Sequence, residues 1–234
     1  CTINGKSYGL AYTEAQQGLD KRAGIDVIEN ANKWKNKIAA DKEVMMDDLT
    51  KYSNNDQLRE ENITFVSSQY VRDTFLGDSG DDQKQANERF MFALALCHTV
   101  MTEENESDST LRDFKAESPD EAALVSVARD MGIVFKKRLR SSLLLEIYGE
   151  EQEFHLLDII PFTSARKRMS CVIKTPDNKI ILYTKGADSV IFQRLNPREN
   201  PNELVSKTAL YLEDYANEGL RTLCIASKVL DPQV

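Results

Sequence analysis

The chain has 234 residues, 41% of them hydrophobic, enough to bury a substantial core in one large domain or two small ones. Its formal charge of −8 at pH 7 argues against a general binder of nucleic acid or of anionic membranes. No apolar run approaches the roughly 20 residues of a membrane helix, and the first residues carry no signal-peptide pattern.

In chain order, Cys1–Leu10 reads as a strand, an Asn4-Gly5 turn and a second strand. Gly5-Lys6-Ser7 has the spelling of a P-loop tail but lacks the upstream glycine, so it reads as turn chemistry. Between Asp26 and Tyr52, Trp34, Ile38, Met45, Leu49 and Tyr52 recur at spacings of 4, 7, 4 and 3, a helical stripe facing a core. Ser53–Asn62 reads as a polar loop and Tyr70–Leu76 as a short helix. Gln83–Met101 holds Phe90, Met91, Phe92, Leu94 and Leu96 without proline or glycine, which predicts a helix buried on most of its surface, with His98 as a capping or hydrogen-bonded core residue. Thr102–Lys115 is dense in Glu, Asp and Ser and reads as a solvated loop without Ca²⁺-loop spacing.

Ser118-Pro119-Asp120-Glu121 is a helix start: serine at the cap, proline at the first position and glutamate three residues beyond the cap. That helix continues over Ala122–Met131 and stops at Gly132. Strands are predicted over Ile133–Lys136, Leu143–Tyr148, Phe154–Ile160, Met169–Ile173 and Ile180–Tyr183, with a tight turn at Pro176-Asp177-Asn178. A short helix at Ala187–Leu195, an amphipathic helix at Glu203–Glu218 and a strand at Leu220–Leu230 complete the chain. The fold class is α+β, a single antiparallel sheet of about six strands flanked by helices, in one domain over residues 1–234. Cys1, Cys97, Cys171 and Cys224 are scattered without a C-x-x-C pair, and only His98 and His155 could join them, so no metal site is expected and reduced cytosolic thiols are the simpler reading.

Phe162 leaves the end of one strand and Lys185 the end of a neighbouring one. An aromatic face and an ammonium at a sheet end suit a flat base carrying phosphates, and a core phenylalanine with a surface lysine fits the same spacing. Glu121 is likewise open to two roles, a capping-box partner of the Ser118 amide or a hydrogen-bond acceptor in a site.

Four ordered motifs tip the balance for Phe162 and Lys185 and leave Glu121 both roles, one carboxylate oxygen serving each. Phe162–Met169 (F-T-S-A-R-K-R-M), followed by Lys185–Asp188 (K-G-A-D), preceded by Ser118–Val125 (S-P-D-E-A-A-L-V) and followed by Glu218–Leu223 (E-G-L-R-T-L), resemble the nucleotide-binding domain of P-type ATPases over essentially the whole chain. S-P-D-E-A-A-L-V and K-G-A-D resemble the type IV branch, the phospholipid flippases, and the stretches Cys1–Gly9 and Gly219–Ala226 are most similar to the fungal Dnf-type members. The resemblance implies ATP as ligand: Phe162 stacking under the adenine, Glu121 facing its amino group, and Lys185 beside Gly186 at the pocket floor. It also implies contacts from Ser164 and Lys167, weaker from Ser164 because other branches carry arginine there, and Arg221 with Thr222 reaching toward the phosphates.

The resemblance further implies an excised insertion of a larger transporter. Its two ends, Cys1 and Val234, should then return to one hinge. The D-K-T-G, T-G-E and T-G-D motifs of the family's other domains are absent, so no catalytic residue is expected here, and Mg²⁺ is expected mainly on the phosphorylation domain. Expected partners are the phosphorylation and actuator domains of the same chain and a Cdc50-type accessory subunit. The expected place is the cytosolic side of a plasma-membrane or Golgi/endosomal protein whose membrane spans lie elsewhere. Two alternatives remain at this stage, a stand-alone nucleotide hydrolase and a protein-interaction module using the charged 20–60 region. The cap role of Glu121 carries its own expectation: Glu121→Gln should cost little stability, since glutamine also serves a capping box.

Overall fold

Five consecutive strands rich in β-branched and aromatic residues, joined by short turns, build residues 133–186 into a meander. The structure, a computed structural model, describes residues 1–53, 55, 58–63, 65–104 and 112–231. In chain order it forms β1 (Thr2–Ile3), β2 (Lys6–Ser7), α1 (Glu14–Arg22), α2 (Val27–Tyr52), α3 (Ser68–Val71), α4 (Asp81–Leu96), β3 (Met101–Glu104), β4 (Arg112–Lys115) and α5 (Pro119–Asp130). Then come β5 (Ile133–Arg138), β6 (Ser142–Ile147), β7 (Glu150–Thr163), β8 (Arg168–Lys174), β9 (Ile180–Gly186), α6 (Asp188–Phe192), α7 (Asn202–Asn217) and β10 (Cys224–Leu230). The architecture is α+β, with a six-stranded antiparallel sheet in the order β10-β9-β8-β7-β6-β5 and helices beside it, as the sequence predicts. Two further two-stranded ladders, β1-β2 and β3-β4, are separate from that sheet in their strand pairing, although the Thr102 hydroxyl of β3 donates to the Lys136 carbonyl of β5 at 2.8 Å.

The chain divides into two compact units. The first comprises Cys1–Asp48, Phe65–Asn87 and Leu195–Leu223. Its β1-β2 hairpin turns on Asn4 and Gly5, both at positive φ (48° and 75°), the backbone that a two-residue hairpin turn requires. Lys6 is used structurally: its ammonium lies 2.8 Å from Asp73, whose fully buried carboxylate also accepts from Tyr8, Gln69 and Ser79. Burial pushes the Asp73 carboxyl up, and those donors together hold it below its usual range. The helical stripe of α2 sinks along its length, from half-buried Trp34 and Ile38 to fully buried Met45.

The second unit comprises Leu49–Thr64, Glu88–Arg194 and Cys224–Val234 and holds the sheet with α5, α6 and the C-terminal part of α4. Met91, Leu94 and Leu96 of α4, Val125 and Ala128 of α5, and Phe135, Leu143, Leu145, Cys171 and Ile173 of the sheet form its core.

Two elements differ from expectation. Helix α1 is absent from the sequence reading because it carries Gly18 and no apolar stripe; its signal is the box Thr13-x-x-Gln16, in which the Thr13 hydroxyl accepts from the Gln16 amide at 3.2 Å. The ends of the Thr102–Lys115 loop pair instead as β3 and β4, with Thr102 opposite Phe114. Phe114 is half-buried, with the Arg129 guanidinium 5.6 Å from its ring centre, an anchor that the surrounding charges hide in the sequence. Residues 105–111 of that loop, residues 54, 56 and 57 of the Ser53–Asn62 loop, and Val234 of the two-ended hinge lie outside the described residues.

Candidate nucleotide site

Proline inside a sheet strand belongs at a bulge, because it has no N–H for the ladder. Pro161 sits in β7 at such a place: between the pairs Ile160↔Ser170 and Thr163↔Arg168, β7 spends one residue more than β8. The extra residue swings Phe162 out of the pleat, and it is 61% exposed. Beyond it the chain closes a turn in which the Lys167 N–H donates to the Thr163 carbonyl at 2.7 Å, with Lys167 in the left-handed region at φ 51°. Arg166 clamps this turn from inside, donating to the carbonyls of Pro161 (2.9 Å) and Arg168 (3.3 Å). Arg166 and Arg168 are therefore half-buried in backbone contacts and do not form a solvated face. Ser164 and Lys167 remain exposed on the turn.

The register places Lys185 of β9 opposite Met169 of β8, and Met169 lies across from the Phe162 bulge. Phe162 and Lys185 thus share one row of the sheet, two strand spacings or about 10 Å apart. They are not on neighbouring strands, as the sequence reading has it, because β8 runs between them. Lys185 is 6% exposed, and its ammonium bonds Glu121 Oε1 at 2.8 Å. A phenylalanine in solvent and a lysine in the interior invert what packing alone would give.

Glu121 corrects the capping-box reading. Ser118 caps α5 through its backbone, with no side-chain cap bond. The Glu121 carboxylate turns to Lys185 on Oε1 and, on Oε2, to the Thr99 N–H (3.2 Å) and hydroxyl (2.7 Å). A charge-assisted bond to a buried ammonium is worth more than one to a terminal amide. Burial raises the Glu121 carboxyl, but Lys185 and Thr99 outweigh it and hold the group ionised below its usual range.

Three residues around this pair escaped the sequence reading of the site. Thr99 carries two of the three donors to Glu121. His98 fixes Thr99: its Nδ1 accepts from the Val100 N–H at 3.1 Å, so its Nε2–H donates to the Ala95 carbonyl at 2.8 Å at the end of α4. Arg138 donates to the His98 carbonyl at 2.7 Å, while its buried Nη1 finds no partner among the described residues. No spacing in the sequence joins these residues, although the tract around His98 is apolar on both sides.

Gly186 follows Lys185 and pairs with Arg168, and a methyl group there would lie 2.5 Å from both Arg168 Cβ and the Lys167 carbonyl oxygen. Gly186→Ala is expected to cost about 1–3 kcal/mol by overpacking, read as a lower urea midpoint. A variant as stable as the wild type would contradict that close approach. Arg221 and Thr222, both exposed, belong to the first unit, in the segment before β10, which starts at Cys224 and not at Leu220. They are not part of this row. Among the described residues no group of three His, Cys, Asp or Glu could hold a metal ion, and no helix is long and apolar enough to cross a membrane.

Residues 86–234 match the family model described as P-type ATPase, cytoplasmic domain N. Over 98% of its length the chain is 50% identical to the phospholipid-transporting ATPase DNF2 of Saccharomyces cerevisiae, spanning 15% of that protein. It is 46% identical over 99% of its length to phospholipid-transporting ATPase DNF1 of Chaetomium thermophilum, again 15% of the relative. A human relative, the probable phospholipid-transporting ATPase IM, is 34% identical over 99% of the chain and 17% of its own length.

Proposed function

This chain belongs to the P-type ATPase cytoplasmic domain N family, and from that premise we propose that it is the ATP-holding part of a larger phospholipid-transporting ATPase. The observation that carries the reading is the inverted pair, Phe162 61% exposed and Lys185 6% exposed on one row of the sheet. An exposed ring offers a face for the adenine to stack on, and the ionised Glu121 accepts from its amino group. Lys185, beside Gly186, lies at the floor with its charge balanced by Glu121, and Ser164 and Lys167 border the same turn.

The sequence has no D-K-T-G aspartate to receive the γ-phosphate. Its role is then to hold the nucleotide and present that phosphate to an aspartate on a separate phosphorylation domain, which also supplies the Mg²⁺ ligands. The relatives' names carry phospholipid transport to the parent protein as a proposal. The resemblance of the motifs, and not those names, adds an actuator domain, a Cdc50-type subunit and a place at the cytosolic face of a plasma, Golgi or endosomal membrane as further proposals.

Calorimetric titration of the 234-residue chain tests this. ATP is expected to bind weakly, with little dependence on Mg²⁺, and to be hydrolysed no faster than in buffer. Phe162→Ala should weaken ATP and GTP alike by the roughly 1–3 kcal/mol that base stacking contributes. Unchanged ATP affinity in Phe162→Ala, or turnover lost with a pocket substitution, would refute the reading.

A further inference from the structure

An ionised carboxylate offers roughly four acceptor positions, two on each oxygen. In Glu121, Oε2 takes both the Thr99 N–H at 3.2 Å and the Thr99 hydroxyl at 2.7 Å, and Oε1 takes Lys185 at 2.8 Å. Among the described residues three donors are in place, which leaves one acceptor position, on Oε1. Thr99 cannot drift from this arrangement, because the residues on either side are fixed. The His98 ring is fully buried against Phe135, 4.5 Å between ring centres, and ties Ala95 to Val100. Arg138 holds the His98 carbonyl. Thr99 itself is exposed, so the braced carboxylate stands where a ligand can reach it.

We propose that Thr99 is a specificity-determining positioning residue. By occupying Oε2 it leaves Glu121 a single remaining acceptor, on Oε1, which suits a base presenting one N–H of an exocyclic amine and rejects a base presenting a carbonyl. The inference deepens the adenine reading above and rests on it. A carbonyl set against Oε1 leaves two acceptors unpaired in a dry contact, and discrimination comes from that loss. Without the Thr99 hydroxyl, Oε2 regains a free position, the carboxylate can turn, and the penalty on the carbonyl relaxes.

The test is titration of the 234-residue chain with ATP and with ITP, which carries a carbonyl where ATP carries the amine. The wild type should prefer ATP by roughly tenfold or more. Thr99→Val keeps the shape and the backbone N–H but loses the hydroxyl, and should narrow that preference by about threefold or more, with little change in melting temperature. Thr99→Ser should restore it. The narrowed preference of Thr99→Val should also fade at a higher pH on acidification, since its Glu121 has lost a donor to the ionised form. Should Thr99→Val not fold, Thr99→Ala carries the same comparison. A wild-type preference kept intact in the folded variant, or not recovered by serine, overturns the role of Thr99 alone. Equal binding of ATP and ITP by the wild type overturns the adenine reading, and this inference with it.

Discussion

Glu121→Ala is expected to lower the unfolding free energy by about 3–5 kcal/mol at neutral pH. The pair Lys185–Glu121 is a buried one, with side chains 7% and 14% exposed, and removing the carboxylate strands an ammonium in the interior. Replacing both partners, as Glu121→Ala with Lys185→Met, should recover most of the loss, because an apolar pair carries no desolvation cost. Glu121→Gln should fall between, since its amide reaches Thr99 but does not neutralise Lys185. That replaces the expectation of little cost, which held only while Glu121 was taken as a cap. The sign with pH follows from the depressed carboxyl: its contribution is whole above the ordinary carboxylate pKa of about 4 and is lost as pH falls through the lower folded value. The gap between wild type and Glu121→Ala should therefore close in acid. Urea unfolding at pH 7 and pH 3.5 measures both, and a Glu121→Ala as stable as wild type at pH 7 would show the ion pair to be dispensable.

The largest pH effect is expected from His98. Burial first, then the nearby Arg138, lowers its pKa from 6.5 to about 3. An unfolded histidine binds a proton below about 6.5 that the folded one refuses, so stability is full above that pH and is lost as pH falls toward 3. Integrated over that window the loss is on the order of 4–5 kcal/mol. Asp130 acts in the opposite sense: burial raises its carboxyl to about 6 against the pull of Arg129, so the folded state takes up that proton first and gains as pH falls from 6 toward 3.8. Comparison with His98→Gln isolates the histidine, since Asp130 titrates in both. The variant should be less stable at pH 7.5, having lost the brace between Ala95 and Val100, yet its stability should change less between pH 7.5 and 4.5. Parallel pH profiles would mean that His98 is not held neutral, and the brace on Thr99 would then need another cause.

Local patterns carried much of this architecture. The helix start at Ser118-Pro119, the turn at Asn4-Gly5 and the strands from Ile133 to Tyr183 follow from capping, turn chemistry and β-propensity, which act between residues a few positions apart. The acidic composition, the ordered motifs and the apolar stripe of α2 were equally open to reading. Where a short-range signal was weak or masked by charge, as in α1 and in the β3-β4 ladder, the element went unseen although its capping box or its inward Phe114 was present.

What the tertiary structure alone decided is the partner and the side of each site residue. Phe162 and Lys185 both end apolar runs, and nothing local tells which faces solvent. The bulge at Pro161 turns one out, and the pairing of Lys185 with Glu121, 64 positions earlier, draws the other in. The same holds for Glu121, whose sequence neighbours offered a cap while Thr99 and Lys185 offered charge and donors from other elements. A buried ion outbids a local amide because its unmet desolvation cost is larger, and that cost exists only once the fold has closed over it.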